Sequence, residues 1–194
     1  MKLYLTPGAC SLADHIALTE AGIDVETIKV DLRTRRTEHG DDFNAVNPKG
    51  YVPALVFDDG EVLTENVAIM DWVVGEAPHL APEGRLGRSR NIEMLAFLAT
   101  EIHRPFMRSM FSPADAEKQA ARQAIAERLA LIAERLDGDY LFGDAFATAD
   151  ALCYVMVRWA RDSGFDLPDR LTAYAERVES RPAVQKTLRA ESLA

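Results

Sequence analysis

The chain is poor in the residues that staple or metallate small folds. Its 194 residues include two cysteines, Cys10 and Cys153, and four histidines, with no CxxC pair and no Cys/His cluster at metal-ligand spacing. Neither a disulfide framework nor a zinc site is supported. Long apolar runs are missing too. None approaches the ~18 residues of a membrane span. Met1-Lys2 leads straight into a strand-like segment and not into a signal sequence, so a cytoplasmic protein with no membrane contact is expected. Positive charge is short: 22 Lys and Arg face 31 Asp and Glu, a net −9. That balance argues against a nucleic-acid partner, which is read from a basic patch or stripe. A small anionic ligand stays compatible with a locally positive site. Arg33, Arg35 and Arg36 do gather, although such a group is more often a solvated face. Internal repeats and low-complexity tracts are absent.

What is present is enough chain for one large or two modest domains. The first half alternates short strands and helices, as an α/β layer does. Leu3-Tyr4-Leu5 is strand-like, Pro7-Gly8 punctuates it, and Ser11 to Leu18 resumes at helical spacing. Val25 to Val30 alternates as a second strand. Tyr51 to Phe57, Asp58-Asp59-Gly60 and Glu61 to Leu63 read as a hairpin. From Gly75 to Gly87 the chain is rich in Gly and Pro, and everything beyond reads as helix, placing a boundary near residue 80. One long helix is expected from Arg88 to about Met110, kinked just after Arg104 because Pro105 lacks an N–H and crowds the carbonyl of Glu101. The next helix is expected to start at Ser112-Pro113 and run to about Leu136. Ala147 to Trp159 is apolar nearly all round and should be a central buried helix, with Cys153 as packing. Two short helices, near Asp169 to Glu179 and Pro182 to Glu191, close the chain.

Chemistry concentrates at Cys10. It sits at a helix N-terminus, where unpaired N–H groups and the helix dipole favour a thiolate. A free thiol ionises near ~8.5, so a drop of about two units would make the anion dominant. A small buried hydrophobe is the competing reading. Pro53 heads an apolar strand. A cis bond before it would turn the Val52 backbone outward toward an extended ligand, while a trans proline starting a strand is the plainer alternative. His103 could move a proton in a cleft or be a satisfied structural histidine.

Four separated stretches, Pro7-Gly8-Ala9-Cys10-Ser11, Asn47-Pro48-Lys49-Gly50-Tyr51-Val52-Pro53-Ala54-Leu55, Leu63 to Ile69 and Ala99 to His103, together resemble the bacterial Beta-class glutathione S-transferases. The resemblance covers the whole chain. It implies an α/β thioredoxin-like N-terminal domain followed by an all-α C-terminal domain. The units would be residues 1–78 for glutathione, 79–87 as linker, and 88–194 forming the electrophile side of the cleft. It implies a homodimer, with glutathione as co-substrate and no metal. Val52 before a cis Pro53 would pair with the cysteinyl part of glutathione, Glu65 and Asn66 would hold the γ-glutamyl end, and Arg35 would meet the glycyl carboxylate. Cys10, Ser11 and His103 would attend the sulfur. Glu101 would reach the ligand of the partner subunit, and Arg104 is grouped with the glutathione contacts.

Leu5, Ala96, Pro105 and Ala147 depart from the family pattern. Ala147 lacks the capping hydroxyl, and Leu5 and Ala96 would border the electrophile pocket or the active-site face. The activity implied is transfer of the glutathione thiolate to a small apolar electrophile. The alternatives are a monothiol glutaredoxin-like thiol transferase working through Cys10 and a non-catalytic ligand-binding protein. Ala13 in place of a second thiol leaves only a monothiol route open.

Overall fold

The computed structural model describes residues 1–136 and 138–193. Asp137 and Ala194, both inside the expected helical unit, lie outside the described residues.

A five-stranded sheet, in the order β3-β2-β1-β4-β5, organises the first half. Strand β1 (Lys2–Leu5) pairs parallel with β2 (Glu26–Asp31) and antiparallel with β4 (Ala54–Val56), with Leu3 opposite Leu55. β5 (Val62–Thr64) and the two-residue β3 (Arg36–Thr37) close the two edges. β3 carries no apolar alternation, and its pairing is invisible in the sequence. Along β1 the side chains alternate. Leu3 and Leu5 enter the main core, while Tyr4 faces the other way onto Phe43. Leu5, 1% exposed, is thus a core residue.

Helix α1 (Ser11–Glu20) follows β1 and stops at Ala21-Gly22, where Gly22 takes the left-handed conformation that ends many helices. Helix α2 (Asn66–Glu76) follows β5. Between it and α3 (Gly87–Phe97) lies the Gly- and Pro-rich connection with a 3-10 turn at Pro78–Leu80. A Cβ on Gly87 would sit 1.7 Å from the Pro82 carbonyl oxygen, so only glycine allows this re-entry into helix.

The long helix expected up to Met110 is in fact three pieces. After α3 come a π-helical turn at Leu98–His103 and then α4 (Arg104–Phe111). The expected kink after Arg104 is replaced by this widened turn, in which the Arg104 N–H reaches back five residues to the Ala99 carbonyl. The extra width accommodates the proline that an α-helix would crowd.

Helix α5 (Asp115–Arg135) starts at Asp115 and not at Pro113. Ser112 Oγ instead closes a turn by accepting the Ala114 N–H at 3.2 Å while donating to Glu117 at 2.7 Å. Helices α6 (Thr148–Asp162), α7 (Asp169–Glu179) and α8 (Pro182–Ala190) follow as read. α6 is buried along most of its length, Cys153 included. One apolar cluster runs without a break from Leu3 in the sheet to Leu188 in α8, and α1 packs on both α6 and α8. The linker therefore divides the chain but not the core.

Candidate active site

The turn from Thr6 to Cys10 delivers the chain from β1 into α1. Gly8 has φ +72, a left-handed conformation suited to glycine. The Ala9 N–H returns to the Thr6 carbonyl, and Ser11 Oγ accepts the Thr6 N–H at 3.2 Å. Cys10 then occupies the position before α1 without capping it. The N–H groups of Leu12 and Ala13 fold back on Ala9 and Cys10. Those of Cys10 and Ser11 bond no oxygen or nitrogen among the described residues; both face the Cys10 sulfur, a weak acceptor, and pull its pKa down. An open pair of donors at the positive end of a helix is an anion seat.

The expectation of a Cys10 thiolate is overturned. The thiol is pushed up to about 12, first by burial and then by the Asp14 carboxyl, and these outweigh the two N–H groups. Cys10 is 8% exposed, and its Sγ donates a long hydrogen bond of 3.6 Å to the Val52 carbonyl. It is a neutral S–H donor beside the anion seat.

Val52 precedes a cis Pro53, and its N–H has no partner among the described residues. An extended strand of ligand can therefore pair with this segment as with a sheet edge. Arg35 folds over the neighbouring turn, leaving 3.0 Å between its Cζ and the place a Cβ would take on Gly50. Glu65, in a left-handed conformation of φ 78, accepts from Lys49 Nζ at 2.5 Å and from Tyr51 OH at 2.8 Å. Lys49 first, and then Tyr51 against the cost of burial, hold its carboxyl below the usual range. Lys49 and Tyr51 belong to this corner although the sequence reading assigned them no role; their place beside Val52-Pro53 was the available signal.

The Asn66 amide nitrogen is turned inward. It donates to the Cys10 carbonyl at 3.1 Å and to Asp14 Oδ2 at 2.6 Å, tying α2 to α1. Asp14 is fully buried, and burial drives its pKa well above the ordinary value against the hydrogen bond from Asn66.

His103, at the end of the π-helical turn, lies against Trp159 with ring centroids 5.5 Å apart. Burial lowers its pKa, and the Glu65 carboxylate works the other way, so the ring is neutral at pH 7. Glu101 pairs with Arg128 of its own chain at 3.2 Å. Arg104 is exposed on the first turn of α4. The structure thus brings Cys10, Ser11, Val52, Pro53, Glu65 and Asn66 together, with Arg35 over the adjoining turn. A separate cavity of about 250 Å³ between α3 and α5, lined by Met94, Phe97 and Ile132 among others, includes none of these residues.

Comparison with known proteins places this arrangement. Residues 9–74 match the glutathione S-transferase N-terminal domain model, and residues 95–182 match the C-terminal one. Glutathione S-transferase GstA of Escherichia coli O157:H7 is 42% identical, with 100% of both chains covered. A solved sphingomonad glutathione S-transferase complexed with glutathione is 46% identical, covers 100% of both chains and superposes with a TM-score of 0.93. A bacterial beta class glutathione S-transferase of Sphingomonas chungbukensis is 46% identical with a TM-score of 0.92 over 100% of both chains. With a cis proline leading into β4, a helix N-terminus whose first donors meet only a cysteine sulfur among the described residues, and a full-length match to such relatives, the chain belongs to the glutathione S-transferase family.

Proposed function

We propose that this chain binds glutathione along the segment between α1 and Pro53 and joins the glutathione sulfur to a small apolar electrophile, the new carbon–sulfur bond forming as the electrophile's leaving group departs and the thiol proton passes to solvent. The observation that carries the reading is the Cys10 and Ser11 N–H pair, which among the described residues faces only the weakly accepting Cys10 sulfur. The two N–H donors lower the cost of holding a second, external sulfur as thiolate, and positioning supplies the rest of the rate. The residues present fit glutathione, an anionic tripeptide that supplies the nucleophilic sulfur when bound. Val52 offers backbone pairing, Arg35 and Lys49 offer positive charge, and Glu65 offers a carboxylate for an ammonium.

His103 is the neutral donor facing the cleft from the helical half. Met107 and the exposed Met110 and Phe111 on α4 offer apolar surface for the electrophile. Glu65 and Asn66 hold the γ-glutamyl end, Asn66 through the side-chain oxygen left free among the described residues while its nitrogen fixes the Cys10 carbonyl and Asp14. Arg104 and Glu101 stand as more distant contacts, Glu101 toward the ligand of a second subunit in a homodimer. Units of 1–78, 79–87 and 88–194 and a cytoplasmic location complete the reading.

Glutathione exchange through Cys10 itself is the weaker route, because a thiol raised to about 12 is almost wholly protonated at neutral pH. Two measurements test the reading. The protein should be retained on immobilised glutathione, and Cys10→Ala should keep conjugation of a model aryl halide within roughly tenfold of wild type. No retention defeats the reading. Loss of all conjugation in Cys10→Ala makes Cys10 the nucleophile instead.

A further inference from the structure

Gly8, two residues before the cysteine, is gripped on both faces by the far end of the chain. Its N–H donates to Glu191 Oε2 at 3.0 Å, and its carbonyl accepts from Trp159 Nε1 at 2.8 Å. Leu193 lies over it, 3.5 Å from where a Cβ would stand. The second oxygen of Glu191 is also engaged, with His15 Nδ1 at 2.9 Å, one turn along α1 from the cysteine. Glu191 is 3% exposed. Burying a carboxylate is costly unless its oxygens are matched by donors, and this one is matched by two donors that both belong to the Cys10 turn and α1.

The same terminal stretch holds α1 elsewhere. Arg181 forks onto Glu20 at 2.6 and 2.8 Å at the far end of the helix, and Thr187 meets Thr19 at 3.1 Å. Residues 181–193 thus run along α1 as a splint with polar contacts at three levels. Only the last level touches the turn that presents the Cys10 and Ser11 donors.

We propose that Glu191 is a positioning residue for the glutathione site: by holding the Gly8 N–H and His15 together it aims the open donors of the Cys10 turn at the bound sulfur. The carboxylate does not reach the ligand. It acts through the backbone of Gly8 and the pitch of α1 behind it. A turn with a left-handed glycine at its apex is the place where lost support shows as a change of direction. This inference rests on the proposed glutathione reading.

Glu191→Ala, Glu191→Gln and, as comparator, Arg181→Ala test it. The readouts are the ultraviolet titration of bound glutathione thiolate against pH, the KM and kcat for an aryl halide, and the unfolding midpoint. Arg181→Ala cuts the splint away from the site, so it should lower the midpoint and leave the thiol titration alone. Glu191→Ala should move the titration upward by about one pH unit and raise the KM for glutathione roughly tenfold. Glu191→Gln, which keeps an acceptor for the Gly8 N–H, should fall between Glu191→Ala and wild type.

A folded Glu191→Ala whose titration matches that of Arg181→Ala or wild type overturns the proposal. If Glu191→Ala does not fold, Glu191→Gln decides by the same titration. If wild type itself fails to bind glutathione, the functional reading falls separately. The rate at which iodoacetamide alkylates Cys10, which needs no glutathione, then judges the splint: a changed rate in the Glu191 variant alone supports it, and equal rates across the set overturn it.

Discussion

The N-termini of α1 and α6 are two solutions to one problem, since each leaves backbone donors with no partner inside the helix. At α6 every convenient acceptor is supplied. Asp150 Oδ2 takes the Ala147 N–H at 2.9 Å, and Oδ1 takes the Leu141 N–H and Tyr174 OH, each at 2.9 Å. Asn91 reaches over from α3, its Oδ1 accepting the Ala149 N–H at 3.2 Å and its Nδ2 donating to Thr148 at 2.8 Å. At α1 the residue before the helix is a cysteine with no strong acceptor, and the donors of Cys10 and Ser11 meet only its sulfur among the described residues. One end is closed for stability and the other is left unfinished for a ligand. The two can be told apart by their caps before any ligand is seen.

Closing groups at α6 should matter most to folding. Asp150→Ala removes the acceptor of the Ala147 and Leu141 N–H groups, leaving Tyr174 OH the residue-150 carbonyl at 3.2 Å, and should cost about 2–4 kcal/mol in urea unfolding, while glutathione affinity of the folded fraction stays near wild type. The same carboxyl sets a pH window. Burial raises its pKa from 3.8 to about 6 despite its donors. Between those values the folded form holds a proton that the unfolded chain has released, so this group makes stability fall as pH rises from about 4 to about 6. Asp150→Asn should flatten that part of the stability–pH curve.

Asn91→Ala should cost about 1–3 kcal/mol by the same unfolding assay, again without touching glutathione binding. At α1 the balance reverses. Ser11→Ala should cost only about 1 kcal/mol of stability, but it loosens the hydroxyl that ties Thr6 to the open donors and should raise the KM for glutathione several-fold. The smallest effect belongs to Ala147→Ser. A hydroxyl there repeats what Asp150 and Asn91 already do, so the unfolding midpoint should move by less than about 0.5 kcal/mol in equivalent terms. A gain of a full cap, about 1 kcal/mol, would show that the α6 end is less closed than its hydrogen bonds indicate.

Local pattern made much of this legible. Apolar periodicity marked α1 and the buried α6, Gly22 marked the end of α1, and the Thr6 to Ser11 stretch marked an open helix start. What escaped depends on partners far along the chain. The missing hydroxyl at Ala147 reads as a weakness, because nothing near it announces that Asn91 will arrive from another helix. The pKa of Cys10 was expected to fall, because the helix N-terminus is local while its burial is a property of the whole fold. Pro105 announced a disturbed helix, but whether the chain bends or widens depends on keeping Leu98, Ile102 and Phe106 all in the core. Glu191 looked like an ordinary acidic residue closing a helix.

The grip on Gly8 also bears on how the protein comes into being. A ribosome releases Gly8 183 residues before the carboxylate that holds it, and domains emerging early fold while the remainder is still being made. The thioredoxin-like half can therefore gather its sheet during synthesis, yet its sulfur seat stays unsteadied until residues 191 and 193 leave the exit tunnel. On the proposed role of Glu191, a product clipped ahead of that residue would keep nearly every group that faces the ligand and bind glutathione less well. Glutathione affinity would then report whether the chain is intact through Leu193.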